Sequence, residues 1–325
     1  MDDEKRLKLV VMIPAYNEEE NIGNVVSKIP RNIGGIGKIE VVVINDGSND
    51  KTCQKANDNG ADEIVSHHHN RGLGITFCSG LKKALEIGAD IIVNIDADGQ
   101  FDPNDIPKLI EPIIKNEAEF VTASRFLDES LLPEMPSIKI FGNRLFTYTI
   151  NRITGRHFTD TQCGFRAFSR EAALRLNLFS EFTYTQEVFL DLVNKNISIK
   201  EIPIKVTYYK NRKSKIVKNS FLYGIKVLTI IIRAVRDSRP LAFFGTFGLI
   251  FLVSGFIMGS ILFIRWIMIG RISPYTSLIN IAVVLLILGF LLVVLALIAD
   301  MLSRNRKIQE EILYLMKKQV YENGY

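Results

Sequence analysis

Val93-Asn94-Ile95-Asp96-Ala97-Asp98-Gly99-Gln100 decides how the rest of the chain is read. Asp90 to Ile95 is a dense apolar run that predicts a buried strand, and Gly99 with Asp102-Pro103 predicts the turn that ends it. Two carboxylates one residue apart therefore stand at the carboxyl end of a strand. In an open α/β sheet, ligands bind along that edge. Asp96, Asp98 and the amide oxygen of Gln100 are hard oxygen donors of the kind that suits Mg²⁺ or Mn²⁺, and a cation held there would in turn hold phosphates. Taken alone, Asp and Gly after a strand are also ordinary turn residues. The flanking segments have to separate the two readings.

Working outward, apolar runs at Lys8 to Ile13, Glu40 to Ile44, Glu63 to Val65 and Phe120 to Ala123 predict further strands. Between them, helices are predicted after Asn17-Glu18-Glu19-Glu20, from Asp50, from Asn70-Arg71-Gly72-Leu73-Gly74 to about Gly88, and from Pro103 to about Lys115. This alternation implies β-α-β units and a mainly parallel sheet. Three of the strands end in polar clusters: Tyr16-Asn17-Glu18, Asp46-Gly47-Ser48 and Asp96-Ala97-Asp98. Parallel strands place such ends along one edge. Glu18 and Asp46 are suited to accept hydrogen bonds from a nucleobase or from ribose hydroxyls, and Gly47 lets backbone come close; a plain turn and helix cap remains the alternative.

Arg125, Arg144, Arg166 and Arg212 are candidates to hold phosphate, since guanidinium suits bidentate contact; structural pairing would account for any one of them equally well. Asp160 is expected to orient an acceptor or one of these arginines, or to cap a helix. His67-His68-His69 does not read as a metal site, because successive strand residues point to opposite faces.

The chain has 325 residues, 47% of them hydrophobic, and a net charge of +5, so it can hold a domain of about 200 residues with material to spare. Leu241 to Ile264 and Ser277 to Ala299 carry no charge and are long enough to cross a bilayer core of roughly 30 Å as helices. Lys226, Arg233, Arg236 and Arg239 precede the first and Arg304, Arg306 and Lys307 follow the second, against Arg265 and Arg271 between them. The positive-inside rule then expects a two-span membrane protein with the N-terminal domain and both ends in the cytoplasm. Met-Asp-Asp-Glu-Lys-Arg at the start does not read as a signal peptide, and the basic residues cluster near the spans, which disfavours nucleic acid as a partner. Cys53, Cys78 and Cys163 read as reduced thiols. Phe221, Ile225, Leu228, Ile232 and Val235 predict an amphipathic helix suited to a membrane surface. Ile308, Ile312 and Leu315 mark a final helix, a candidate contact between copies in a homo-oligomer. The expected division is a catalytic domain over 1–217, an amphipathic segment over 218–239, two spans over 240–300 and a cytoplasmic helix over 301–325.

Ile13-Pro14-Ala15-Tyr16-Asn17-Glu18, Asn45-Asp46-Gly47-Ser48, Asn70-Arg71-Gly72-Leu73-Gly74, Asp96-Ala97-Asp98-Gly99-Gln100 and Asp160-Thr161-Gln162-Cys163-Gly164-Phe165-Arg166 together resemble the inverting family 2 glycosyltransferases of GT-A fold. Within them the chain is similar to dolichol-phosphate mannose synthases and related polyprenyl-phosphate glycosyltransferases. The resemblance implies an α/β GT-A domain, then interface helices and two membrane helices, and a hexose moved from a nucleotide sugar to dolichyl or polyprenyl phosphate. GDP-mannose is the first donor it implies, with UDP-glucose and UDP-N-acetylglucosamine behind. It also implies that Pro14, Tyr16, Glu18 and Asp46 line the base and ribose pocket, and that Asp96, Asp98 and Gln100 surround Mg²⁺ or Mn²⁺ and the diphosphate. Arg125 and Arg144 match positions that meet donor diphosphate or acceptor phosphate, with Arg166 a further basic candidate, and Glu187 matches an acid near sugar or acceptor. Arg212, Ser214 and Lys215 resemble a loop that closes over the site, although Arg212-Lys213-Ser214-Lys215 lacks the glycine usual before Ser-Lys. A transferase acting on a saccharide hydroxyl and a silent sugar-nucleotide-binding scaffold are the alternatives. The first usually carries a Gln-X-X-Arg-Trp motif, whereas the sole tryptophan here is Trp266 at the end of the first span.

Overall fold

The computed structural model describes residues 6–131, 137–178, 184–207 and 240–322. The chain forms two compact units: residues 1–214 with 313–325, and residues 215–312. In the first, strands and helices alternate as β1 (Leu7–Ala15), α1 (Ile22–Ser27), β2 (Ile36–Asn45), α2 (Thr52–Asp58), β3 (Glu63–Ser66), α3 (Leu73–Glu86), β4 (Ile91–Asn94), α4 (Ile106–Ile114) and β5 (Phe120–Ser124). Then come α5 (Ser137–Thr154), β6 (Arg166–Ser169), α6 (Arg170–Arg175), α7 (Thr185–Asn194) and β7 (Ile199–Pro203). The seven strands make one sheet in the order β3-β2-β1-β4-β6-β5-β7.

Both faces of this sheet are covered, which is why its central strands are apolar without alternation. Leu9, Val11 and Ile13 of β1 pack with Val25, Ile106 and Ile110 on one side. Val10 and Met12, pointing the other way, pack with Phe77, Leu81 and Phe168. The parallel pairs β1·β2 and β1·β4 set Ala15 beside Asn45 and Met12 beside Asn94, so the ends of these strands lie together as expected. Pro14, expected to stop β1, lies within it opposite Ile44. Because β4 pairs with β1 only as far as Met12, the missing N–H of Pro14 falls beyond that ladder.

Mainly parallel pairing is interrupted once. β6 runs antiparallel to both β4 and β5, with Asn94 facing Arg166. This strand follows α5, and α5 buries Asn143, Phe146, Thr147 and Ile150 while Phe141, Arg144, Leu145 and Tyr148 lie exposed on the other side.

The second unit holds α8 (Pro240–Ile269) and most of α9 (Thr276–Glu322), both long and apolar enough to cross a membrane. Gly248 and Gly255 of α8 face Val293 and Leu286 of α9, and Gly289 faces Leu252, closely enough that any side chain there would clash. Small residues at a helix crossing are how apolar helices approach in lipid. The amphipathic segment expected over 218–239 lies outside the described residues.

The last turns of α9 belong to the first unit. Tyr314 is buried in its apolar core and its hydroxyl donates to Glu171 at 3.0 Å. The Lys317 ammonium donates to Leu176 O at 3.0 Å and to Asn177 Oδ1 at 2.8 Å, capping the end of α6, while Arg170 donates to Tyr321 O at 2.7 Å at the end of α9. Each helix thus supplies the cation for the other's carboxyl end, where orphan carbonyls and the helix dipole favour it. Ile308, Ile312 and Leu315 remain exposed. Lys317→Met is expected to cost about 1–3 kcal/mol by leaving these carbonyls unpaired. Hydrogen exchange of Leu174 to Asn177 should then accelerate; unchanged exchange would show that the cap contributes nothing.

Candidate functional site

The sheet's carboxyl edge is assembled from the turns after β1, β2 and β4. Asn17, at φ 52°, accepts the Asn49 N–H on its side chain at 2.9 Å and donates its own N–H to Ser48 Oγ at 2.9 Å. Glu18 N–H reaches Thr52 Oγ1 at 2.9 Å, and Asp46 N–H reaches Ala15 O at 2.9 Å. The first two clusters are therefore one knotted surface. Pro14 is buried within it, and Tyr16 and Glu18 are partly exposed.

Asp46 anchors the neighbouring loop. Its Oδ1 accepts from His67 Nδ1 at 2.8 Å and Arg71 N at 2.9 Å, and its Oδ2 accepts from Gly72 N at 2.9 Å. Burial pushes the Asp46 carboxyl upward, but bonds from His67, Arg71, Gly72 and Thr76 outweigh it and hold the pKa below the ordinary value. Gly47, at φ 72°, lets the His69–Asn70 backbone sit where a Cβ would be 2.6 Å from His69 C.

At the end of β4, Asp98 Oδ1 accepts the Gln100 N–H at 3.0 Å. Asp96 is pushed up to about 7, first by burial and then by the charge of Asp98, with Arg166 and Arg125 pulling the other way. Its carboxyl fills the space above Gly164, where any Cβ would collide with it. Below them Asn94 donates to Gly164 O at 2.7 Å and to Tyr184 Oη at 3.2 Å. No group of three or more His, Cys, Asp or Glu side chains converges among the described residues. Two partly exposed carboxylates one residue apart nevertheless fit a hard divalent cation whose other positions would be filled by phosphate or water oxygens.

Asp160 is fully buried and takes Arg125 in a fork, Nε to Oδ2 at 2.6 Å and Nη2 to Oδ1 at 2.9 Å. Asn143 Nδ2 donates to Oδ1 at 2.8 Å, and Glu201 of β7 receives the Asp160 N–H at 3.0 Å. Burial raises the Asp160 pKa, yet Arg125, Asn143 and Gln162 outweigh it and the net shift is downward. Asp160 thus holds the Arg125 guanidinium in a fixed direction.

Arg166 departs from expectation. It is wholly buried, with its guanidinium 5.1 Å from the Phe189 ring centre, 5.7 Å from Tyr184 and 5.9 Å from Phe120. Nη2 donates to Thr161 O at 3.1 Å. The chain enters β6 at this residue and points the side chain inward, so it is a buried counter-charge near Asp96 and not a surface hand for phosphate. Arg144 is exposed on α5, and Glu187 is partly exposed on α7. Arg212, Ser214 and Lys215 lie outside the described residues. Sequence reading missed His67, Asn94, Gly164 and Glu201. For His67 a signal existed, a histidine at a strand end next to another strand's Asp-Gly; Asn94 and Gly164 lie inside stretches singled out for other residues, and nothing marked Glu201.

The sequence profile of Glycosyl transferase family 2 matches residues 10–176. A UDP-N-acetylglucosamine–dolichyl-phosphate N-acetylglucosaminyltransferase of Methanococcus voltae is 36% identical over 219 residues, covering 62% of this chain and 86% of that protein. A dolichol-phosphate mannosyltransferase of Pyrococcus furiosus is 30% identical over 225 residues, 68% of this chain and 57% of that protein. Glucosyl-3-phosphoglycerate synthase from Mycobacterium tuberculosis superposes with a TM-score of 0.55 at 21% identity, over 72% of this chain and 80% of that one, which places the fold in the same class.

The Arg125–Asp160 fork generates a stability prediction. Asp160→Ala removes the buried carboxylate that takes the Arg125 guanidinium in a fork and is expected to cost about 3–5 kcal/mol. Because the folded-state pKa of Asp160 is depressed, its contribution is complete above the ordinary carboxylate pKa and is lost as pH falls through the lower folded value. Thermal midpoints followed from pH 7 into the acid range should therefore fall less steeply in Asp160→Asn than in the natural protein. Identical slopes would contradict the pairing.

Proposed function

The chain belongs to glycosyl transferase family 2, and on that premise we propose that it moves a sugar from a nucleotide diphosphate sugar to dolichyl or polyprenyl phosphate, with inversion at the anomeric carbon. The observation that carries this reading is the Asp96, Asp98 pair at the carboxyl end of β4, with Asp96 desolvated and pushed up to about 7. A divalent cation, Mg²⁺ or Mn²⁺, bound by Asp96, Asp98 and Gln100 would neutralise charge on the departing diphosphate.

The chain's own residues supply the rest. Pro14, Tyr16, Glu18 and Asp46 line the nucleoside side of the edge, where the knotted turns after β1 and β2 present a fixed surface. Arg125, locked in its fork by Asp160, keeps a positive charge beside the two carboxylates and toward the diphosphate. Glu187 takes the sugar or acceptor side. Arg144, with Arg212, Ser214 and Lys215, holds the acceptor phosphate. A lipid phosphate has a second pKa of roughly 6 and attacks as a dianion, so no strong general base is needed.

Both relatives with dolichyl or dolichol phosphate in their names favour a lipid phosphate acceptor. The N-acetylglucosaminyltransferase has the higher identity and the larger share of its own length matched, which favours UDP-N-acetylglucosamine over the GDP-mannose expected from the sequence. A bilayer setting is supported by α8 and α9. It is supported again by the exposed stripe Phe141, Leu145 and Tyr148 on α5, flanked by Arg144 and Arg152, a pattern suited to headgroups. The basic flanks favour an orientation with the catalytic unit and both ends in the cytoplasm.

Full-length protein in detergent, given labelled UDP-N-acetylglucosamine or GDP-mannose, Mn²⁺ and dolichyl phosphate, should yield a lipid-extractable product. Chelation should abolish it, and Asp98→Ala should reduce it about 100-fold or more while the protein stays folded. Absence of a lipid product with every common donor would overturn the proposal.

A further inference from the structure

His67 stands in line with two other polar side chains at the base of the nucleoside side. Its Nδ1 lies 2.8 Å from Asp46 Oδ1, and its Nε2 lies 3.0 Å from Ser79 Oγ on α3. Asp46 as a carboxylate can only accept, so Nδ1 carries a proton. In the neutral ring Nε2 is then the acceptor, and the Ser79 hydroxyl donates to it. In either ring form Nδ1 donates to Asp46, and His67 joins Ser79 to Asp46 through its two nitrogens. The middle of this line and its Asp46 end are sheltered: 8% of the His67 side chain and 5% of the Asp46 side chain are exposed.

The same carboxylate holds the backbone N–H groups of Arg71 and Gly72, which open the turn into α3. Gly47 lets the His69–Asn70 backbone close against the turn after β2. Without His67, Asp46 would keep its two backbone donors and the Thr76 side chain but lose the imidazole N–H at 2.8 Å, the leading bond among those that hold its carboxylate. We propose that His67 is a positioning residue for nucleoside recognition, setting the Asp46 carboxylate and with it the Asn70–Gly74 turn. It touches neither the sugar nor the diphosphate. This assignment rests on the nucleotide-sugar reading above and deepens it: binding of the nucleoside moiety depends on His67, and the chemical step does not.

The test uses full-length protein in lipid nanodiscs and two probes, UDP and GDP, titrated calorimetrically with Mn²⁺ present. His67→Ala is expected to weaken the nucleotide that binds the natural protein by about tenfold or more, the scale of a lost hydrogen bond to a charged group. His67→Asn, which returns an N–H near the position of Nδ1, should recover at least part of that loss. Maximal turnover at saturating donor should stay within about threefold of the natural protein in both variants, so the effect falls on KM. A purely structural role would lower the melting temperature of both variants without moving nucleotide affinity in the folded protein, and that result overturns the assignment. Affinity of His67→Ala within twofold of the natural protein also overturns it. If the natural protein binds neither UDP nor GDP, the functional reading fails first and this assignment falls with it.

Discussion

Two negative charges one residue apart, only partly exposed at the end of a buried strand, are costly, and much of the catalytic unit is arranged to tolerate them. Asp96 bears the strain, its carboxyl pushed up to about 7 by burial and by Asp98. The compensation comes from below and from one side. Arg166 brings a positive charge into the apolar interior with aromatic faces around it, and Arg125 is held in place by Asp160. A buried arginine with two nitrogens lacking partners would be hard to justify on stability alone. Beside the Asp96 and Asp98 carboxylates, it offsets negative charge.

Sheet topology explains why these groups meet. The antiparallel β6 carries Arg166 against Asn94, so residues 70 apart in sequence, Asn94 and Gly164, share a hydrogen bond under Asp96. The space Asp96 occupies exists because residue 164 has no side chain. One glycine thus ties the strand with the carboxylates to the segment that delivers Asp160 and Arg166.

Most of the parallel half was legible in the sequence, because each strand there is a short apolar run closed by turn residues, and the three polar clusters do lie on adjacent strands. The second half was not. Arg166-Ala167-Phe168-Ser169 is too short and too mixed to announce a strand, and its antiparallel direction depends on where α5 returns the chain. Arg166 was misread for a related reason: burial of an arginine follows from tertiary packing and leaves no local mark. The end of α9 was read from Ile308, Ile312 and Leu315 as a candidate contact between copies, and nothing local announces that Tyr314 and Lys317 meet the Glu171 carboxylate and the Leu176 carbonyl. The two long apolar helices, by contrast, were plain from composition.

The central claim is that Asp96 and Asp98 together hold a divalent cation that in turn holds a nucleoside diphosphate. Its most direct test is Mn²⁺ titration of the full-length protein followed by electron paramagnetic resonance, with and without UDP or GDP. The account predicts that nucleotide tightens Mn²⁺ binding and that Asp98→Ala removes the bound signal in a protein that still melts cooperatively. Mn²⁺ bound equally well by Asp98→Ala, or with no response to either nucleotide, would contradict it.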